Sequence, residues 1–320
     1  MPTILFTAPY MIPFLDRFRP VLESYGLEII VPDVEERMEE ADLLEYAGLF
    51  DGTICGDDRY TARVLEVCAP RLKAISKWGT GIDSIDQEIC QQLGIMVGNT
   101  PNAFTFPVAD SVLGYILAFA RRQPWMDRAV KSGSWQKIPG RSLSECTLGV
   151  IGIGKIGKAV LQRAKSFGME LLGNDLCEIE PDFVAENRIE MTSLEDLLSR
   201  ADFVSINCDL NPTSHHLMNE KTFELMKPGA ILINTARGPI VEEKALIAAL
   251  ETSQISGAAL DVFEVEPLED GNRLKGFDNV LLAPHNANSS PVAWEQVHWN
   301  TIRNLLKGLG IPAEDLISHE

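Results

Sequence analysis

The chain predicts an α/β fold built as two doubly wound parallel-sheet domains. Three observations predict it. Short apolar runs alternate with segments of helical spacing along nearly the whole length, the pattern of parallel strands covered on both faces by helices. Residues 146–175, CTLGVIGIGKIGKAVLQRAKSFGMELLGND, read as strand, glycine turn, helix, strand and acid. At 320 residues the chain is long enough for two domains of ordinary size.

Taken in order, candidate strands lie at 3–6, 27–31, 53–55, 72–75 and 95–97, with amphipathic stretches at 60–69 and 85–93 between them. A complete α/β domain therefore precedes the glycine turn. Residues 108–122, VADSVLGYILAFARR, read as one long apolar helix joining the first domain to the second. The polar segment after it carries Trp125 and Trp135. It reads either as a surface that meets another subunit or as a loop folded back on its own domain.

In the glycine turn, an apolar run at 148–151 forms a buried strand, and helical spacing runs over 155–167. Gly152 permits the tight turn, Gly154 lets backbone approach a pyrophosphate, and Gly157 lets the helix pack close to the strand. The first helical turn, Lys155 and Ile156 included, offers amide donors and a positive dipole end to an anion. The second strand, 169–172, leads to Asp175, placed to accept hydrogen bonds from the adenosine ribose of a dinucleotide. Further strands are expected at 203–206, 230–233, 257–260 and 280–282, and helices at 195–198, 220–226 and 242–250. A last helix at 291–309 is expected to cross back to the first domain.

The formal net charge of −18 argues against nucleic acid and anionic membrane as partners, since both need basic patches. No apolar run is long enough to span a bilayer, and the start, MPTILFTAPYMIPF, lacks the basic region of a secretory signal. Six scattered cysteines without a C-x-x-C point to reduced thiols, no metal, and a cytoplasmic location.

Several further stretches carry a resemblance: ISKWGTGIDSID (75–86), NTP (99–101), GIGKIG (152–157), INTARGPIVEEKAL (233–246), GAALDVFEVEP (257–267) and APH (283–285). With these, the chain resembles the D-isomer-specific 2-hydroxyacid dehydrogenases, as a short phosphoglycerate-dehydrogenase-like member. The resemblance implies a Rossmann-type NAD-binding domain, 99–286, inserted in a flavodoxin-like substrate domain, 1–98 and 287–320, with the active site in the cleft. It implies a homodimer, and hydride transfer between NAD(H) and a D-2-hydroxy acid or 2-keto acid. An alternative is an NAD-sensing, corepressor-like binding protein without significant turnover. A formate-dehydrogenase-like activity is disfavoured, since that subgroup has Gln where this chain has Glu266.

By the same resemblance Arg237 grips the substrate, and Glu266 with His285 forms the acid–base pair. An Arg near a strand's carboxyl end suits a two-pronged grip on a carboxylate or keto oxygen. A His held by a carboxylate suits proton exchange near neutral pH. Glu264 is a decoy beside Glu266, and His215, His216, His298 and His319 read as solvated or structural. Gly79, Thr80 and Gly81 would form an anion nest for the substrate carboxylate, with Lys77 and Asn102 nearby. Asp261, Ala236 and Cys208 would line the nicotinamide side of the cofactor.

Three departures stand out. Asn102 replaces the Gly of the N-T-P-G-A motif, and Asp209 stands where relatives have Pro. In GDDRYT (56–61), Asp57 and Asp58 stand where phosphoglycerate enzymes place a base. Two carboxylates there would repel a phosphate, so 3-phosphohydroxypyruvate is not the expected substrate.

Overall fold

A computed structural model describes residues 1–313; the remainder, His319 and the end of the expected substrate domain included, lies outside the described residues. The chain forms two compact units. One is Met1–Phe104 together with the segment from Ser290 onward, and the other is Thr105–Ser289.

The first unit runs β1 (Thr3–Phe6), α1 (Leu15–Ser24), β2 (Glu28–Ile30), α2 (Glu40–Glu45), β3 (Gly52–Cys55), α3 (Ala62–Cys68), β4 (Ala74–Lys77), α4 (Gln87–Leu93) and β5 (Met96–Gly98). Its strands lie in the order β2-β1-β3-β4-β5, all parallel. This is the flavodoxin-like order, and its switch point falls between β1 and β3. Helices cover both faces, so β1, β3 and β4 are buried along their full length. Local chemistry sets the helix ends. Thr61 and Asp86 accept the amides of Val64 and Ile89 to start α3 and α4, and α4 stops at Gly94, whose φ is 69°.

The second unit opens with α5 (Thr105–Arg121) and α6 (Gln123–Lys131). It continues with β6 (Thr147–Ile151), α7 (Lys155–Ser166), β7 (Glu170–Asn174), α8 (Pro181–Asn187), β8 (Ile189–Met191), α9 (Leu194–Arg200) and β9 (Phe203–Ile206). The rest is α10 (Glu220–Leu225), β10 (Ile231–Asn234), α11 (Glu243–Glu251), β11 (Gly257–Leu260) and β12 (Val280–Leu282). The parallel sheet has the order β12-β11-β10-β9-β6-β7-β8, a Rossmann order extended by one strand. Its switch point lies between β6 and β9. One apolar core, with Leu232, Leu246 and Phe223, fills one face, and another, with Val150, Leu161 and Ile116, fills the other.

Helix α12 (Pro291–Gly308) completes the first unit. Ser76 Oγ donates to Thr301 O at 2.6 Å. The approach needs small residues: a Cβ on Gly98 would lie 2.8 Å from that of Asn304, and one on Gly308 would lie 2.5 Å from that of Ala74.

The compact units divide after Phe104 and after Ser289, a few residues beyond the boundaries at 98 and 286 that the resemblance implies. Hydrogen bonds fix these boundaries. Thr100 N donates to Gly79 O, and the amides of Asn300 and Asn304 donate to Asn99 O, which keeps 99–104 with the first unit. Ala287 N donates to Asp261 and Ala287 O accepts from Ser111, which keeps that segment with the second.

The segment after α5 is not a plain arm. Arg122 turns left-handed at φ 55°, and Pro124 falls in the opening turn of α6. Trp125 folds back on its own unit, donating to Asp278 O at 2.9 Å and meeting the Phe119 ring at 5.1 Å. Trp135 is 89 % exposed.

Within the first unit His298 is buried against Phe14 and Phe18, and Trp78 Nε1 donates to its Nδ1 at 2.9 Å. Burial pushes its pKa down to about 4 from 6.5, so the buried ring is neutral. The unfolded chain then takes up a proton between pH 6.5 and 4 that the folded chain refuses, so this group's stabilisation is full above pH 6.5 and lost as pH falls. Buried Asp58, pushed up to about 6 mainly by desolvation, has the opposite slope between 3.8 and 6. Replacing His298 by Gln should therefore cost less stability at pH 5 than at pH 7, by about 1–2 kcal/mol, in urea melts at the two pH values.

Candidate active site

The glycine turn joins β6 to α7 at the switch point of the second sheet. Gly152 has φ 86°, and a Cβ on it would lie 2.5 Å from Cys208 N, so the turn packs backbone against backbone on the segment after β9. A Cβ on Gly157 would lie 2.1 Å from Gly152 O. Gly154 is different: it is exposed, with no atom within 4 Å of a Cβ built there. It is the N-cap of α7, and no side chain caps that helix start. The amides of Lys155, Ile156 and Gly157 thus begin a helix dipole beside open space, a fit to a pyrophosphate.

Asp175 follows β7. Its carboxylate accepts from Ile153 N at 2.6 Å and from Cys177 N at 2.8 Å, so it braces the glycine turn as well as its own turn. Each oxygen accepts more than one hydrogen bond, which leaves capacity for ribose hydroxyls. Burial, with Asp209 and Asp175 adding to it, pushes the Cys208 thiol up to about 11, so it stays protonated at neutral pH. Two buried atoms at adjacent strand ends, Asn207 Oδ1 and Thr235 Oγ1, have no hydrogen-bond partner among the described residues. Unsatisfied buried acceptors at a ligand edge fit a polar group such as a carboxamide.

Arg237 lies three residues beyond β10. The buried Asn234 side chain shapes that loop: Oδ1 accepts from Ala236 N at 3.0 Å and Nδ2 donates to Arg237 O at 2.9 Å. Arg237 Nη1 donates to Ala236 O at 2.8 Å. Gly238, next in line, touches the following loop, since a Cβ there would lie 1.8 Å from Phe263 O. That loop carries Glu266, whose Oε1 accepts from Phe263 N at 2.8 Å and whose Oε2 lies 3.0 Å from His285 Nδ1. The structure thus joins Glu266 to His285 and sets the Arg237 loop against the same turn.

His285 has φ 49°, the left-handed region that disfavours a side chain. Its loop is held by Asp261. His285 N donates to Asp261 O, while the Asp261 carboxylate accepts from Asn286 N at 2.9 Å and Ala287 N at 2.8 Å. Burial raises the Asp261 pKa, and the two amides oppose that rise. Asp261 thus fixes the loop that carries His285.

Glu264 lies 2.7 Å from His216 Nε2, and the rings of His215 and His216 stack at 4.0 Å. Glu264 is thus engaged with a different histidine from Glu266. Sequence reasoning did not find Asn234 and Gly238. The short Asn-x-x-Arg-Gly spacing was their signal, since Asn bonds backbone two or three residues on.

In the first unit, Lys77 ends β4 and the turn Gly79–Gly81 follows it, with Gly79 at φ 118°. Thr80 Oγ1 donates to Thr100 O at 3.0 Å, tying the turn to the NTP segment. Asn102 has φ 64°, a conformation Asn tolerates better than most residues, which explains how it replaces glycine. The two carboxylates of GDDRYT do not act together. Asp58 is buried and accepts from Thr7 Oγ1 and, at 2.6 Å, from Met38 N. Asp57 makes the short contact with Lys77, at 3.2 Å, while the buried Asp58 feels the same ammonium from further off. The Asp209 side chain is exposed, and nothing in the structure explains its replacing Pro.

Among the described residues no group of acids, histidines and cysteines could hold a metal ion, and no helix is long and apolar enough to cross a membrane.

A sequence profile described as "D-isomer specific 2-hydroxyacid dehydrogenase, NAD binding domain" matches residues 113–287. The chain is 41 % identical over 268 residues to a glyoxylate reductase of Thermofilum pendens, covering 80 % of this chain and 78 % of that one. It is 34 % identical over 311 residues to a D-3-phosphoglycerate dehydrogenase of Synechocystis, covering 93 % of this chain and 54 % of the relative. Its structure is similar to the D-lactate dehydrogenase of Aquifex aeolicus complexed with NAD and lactic acid, at TM-score 0.83 and 29 % identity over 96 % and 95 % of the two chains.

The Gly238 contact generates a prediction. Gly238→Ala should destabilise the protein by about 2 kcal/mol or more, because backbone cannot yield as a flexible side chain does. An unchanged urea midpoint would show that the two loops are not locked there.

Proposed function

The chain belongs to the D-isomer-specific 2-hydroxyacid dehydrogenases, and on that footing we propose that Arg237, Glu266 and His285 are its catalytic residues in interconverting a 2-keto acid and a D-2-hydroxy acid. NAD is its cofactor. The observation that carries the catalytic assignment is the 3.0 Å contact between Glu266 Oε2 and His285 Nδ1. With Nδ1 turned to the carboxylate, Nε2 exchanges the proton: it protonates the oxygen during reduction and reclaims the proton in the reverse direction. Glu266 orients the ring. Arg237 holds the substrate's carboxylate and keto oxygen as a planar fork.

The residues suited to the cofactor are Gly152, Gly154, Lys155, Ile156 and Gly157 for the pyrophosphate, and Asp175 for the ribose. Cys208, Ala236 and Asp261 line the nicotinamide side. When bound, NADH supplies the hydride that the carbonyl carbon accepts. Gly79, Thr80 and Gly81 serve as the carboxylate nest, with Lys77 and Asn102 beside them. We further propose a homodimer in the cytoplasm, with the exposed Trp135 at the subunit contact; light scattering at micromolar concentration tests the oligomeric state.

NADH oxidation measured against a panel of 2-keto acids tests the activity. Arg237→Ala should lower kcat/KM on the order of a hundredfold or more, since the clamp supplies both charge and orientation. A variant as active as wild type would remove Arg237 from this role.

Cofactor choice follows from Asp175. A 2′-phosphate would place like charges in contact there, and the next two residues, Leu176 and Cys177, offer no cation to receive it. NADH should be preferred to NADPH by at least about a hundredfold. Asp175→Ala should weaken NADH and relieve the exclusion of NADPH. Equal use of both by wild type would sink the assignment.

A further inference from the structure

The carboxyl edge of the five-stranded sheet holds a charge pair beside the proposed carboxylate nest. Lys77 closes β4 with a side chain only 5 % exposed, and its Nζ lies 3.2 Å from Asp57 Oδ1. The same ammonium donates to Trp78 O at 2.9 Å. A Cβ on Gly79 would lie 3.6 Å from Nζ, so the ammonium sits over the turn assigned to the substrate carboxylate. Asp57 is set in place by its neighbour. Asp58 accepts from Thr7 and Met38, and so ties the ends of β1 and β3 across the switch point. Beside the pair stands a cluster of rings: Tyr10 and Trp78 at 5.2 Å, Trp78 and Phe104 at 5.7 Å, Trp78 and Trp294 at 5.9 Å.

A buried ammonium at the ligand edge of a parallel sheet is a ready grip for a second anionic group. Here a carboxylate of the same chain already takes that charge. Asp57 lies against the ammonium and the buried Asp58 acts on it as well, so a second anion arriving at Lys77 would meet carboxylate charge already there. Of the adjoining rings, Trp78 and Phe104 are buried, while Tyr10 and Trp294 are partly exposed and offer aromatic surface instead.

We propose that Asp57 is a specificity-determining residue: by neutralising Lys77 it restricts the substrate to 2-keto acids whose side chain carries no second anion, and the ring cluster favours an apolar one. This rests on the function proposed above and names the substrate class for it. Lys77 is then a neutralised part of the wall, and the selectivity resides in the pair.

The test compares kcat/KM for phenylpyruvate and 2-ketoisocaproate with kcat/KM for oxaloacetate and 3-phosphohydroxypyruvate. Wild type should favour the first two substrates. Asp57→Asn should move the ratio toward the dianions by about tenfold or more, the effect of unmasking one nearby charge. Asp57→Glu should keep the wild-type preference, and adding Lys77→Met to Asp57→Asn should cancel the shift. A loss of stability alone would lower all four substrates together and leave the ratio in place. A wild-type preference for the dianions, an unmoved ratio in Asp57→Asn, or a shift that survives Lys77→Met would each overturn the proposal. Failure of wild type to turn over any 2-keto acid, with NADH still bound, would overturn the functional reading as well; turnover with an unmoved ratio would overturn only this one.

Discussion

At Gly152, Gly157 and Gly238 the main chain meets main chain too closely for a methyl group, and the functional edge of the seven-stranded sheet depends on those three approaches. The first seats the glycine turn on the segment after β9. The second brings the start of α7 down on the turn. The third locks the Arg237 loop to the loop of Glu266. Carboxylates then finish the bracing by accepting backbone amides: Asp175 from Ile153, Glu266 from Phe263, and Asp261 from Asn286 and Ala287. Each of these acids thus holds a loop with part of its hydrogen-bonding capacity and keeps the rest for the roles proposed for it. The positions of the reacting groups come from the backbone, which yields less than side chains do.

The sheets were legible in the sequence because buried parallel strands are short and apolar on both faces, and the observed strands at 203–206, 257–260 and 280–282 match the apolar runs residue for residue. Helix α6 was not legible: Arg122 breaks from α5 in a left-handed conformation that side chains rarely adopt, and polar composition hid the new start. The pair α8 and β8 was lost because each is short and half exposed. The pairing of Glu266 with His285 was legible only through motif resemblance, since nineteen positions separate them. The GDDRYT stretch misled for a simpler reason. The chain bends at Gly56 and Asp57 as it leaves β3, and the two acids part there: Asp58 is buried and Asp57 meets Lys77. Spacing between adjacent acids says nothing about which one meets a ligand.

The chain carries a net charge of −18, while its proposed ligands are anions. Local donors resolve the conflict. An uncapped helix start at Gly154 and a left-handed turn at Gly79 present amides within a few ångströms, where screening by water is weak. Distant surface carboxylates are screened over about 10 Å at moderate salt. The immediate backbone, rather than the overall charge, therefore decides whether a small anion can be held.

Helix α12 closes the first unit from the far side of the sequence, its small-residue contacts with β4 and β5 filled only by residues that come after the whole second unit. During synthesis the order of completion is thereby inverted. Residues 105–289 form a continuous stretch with every element of their own unit, whereas the 104 residues ahead of them emerge without the helix that packs on β3, β4 and β5. The apolar surface of β3, β4 and β5 stays open until the last helix arrives. The nascent chain thus passes through a stage in which its oldest part is its least finished.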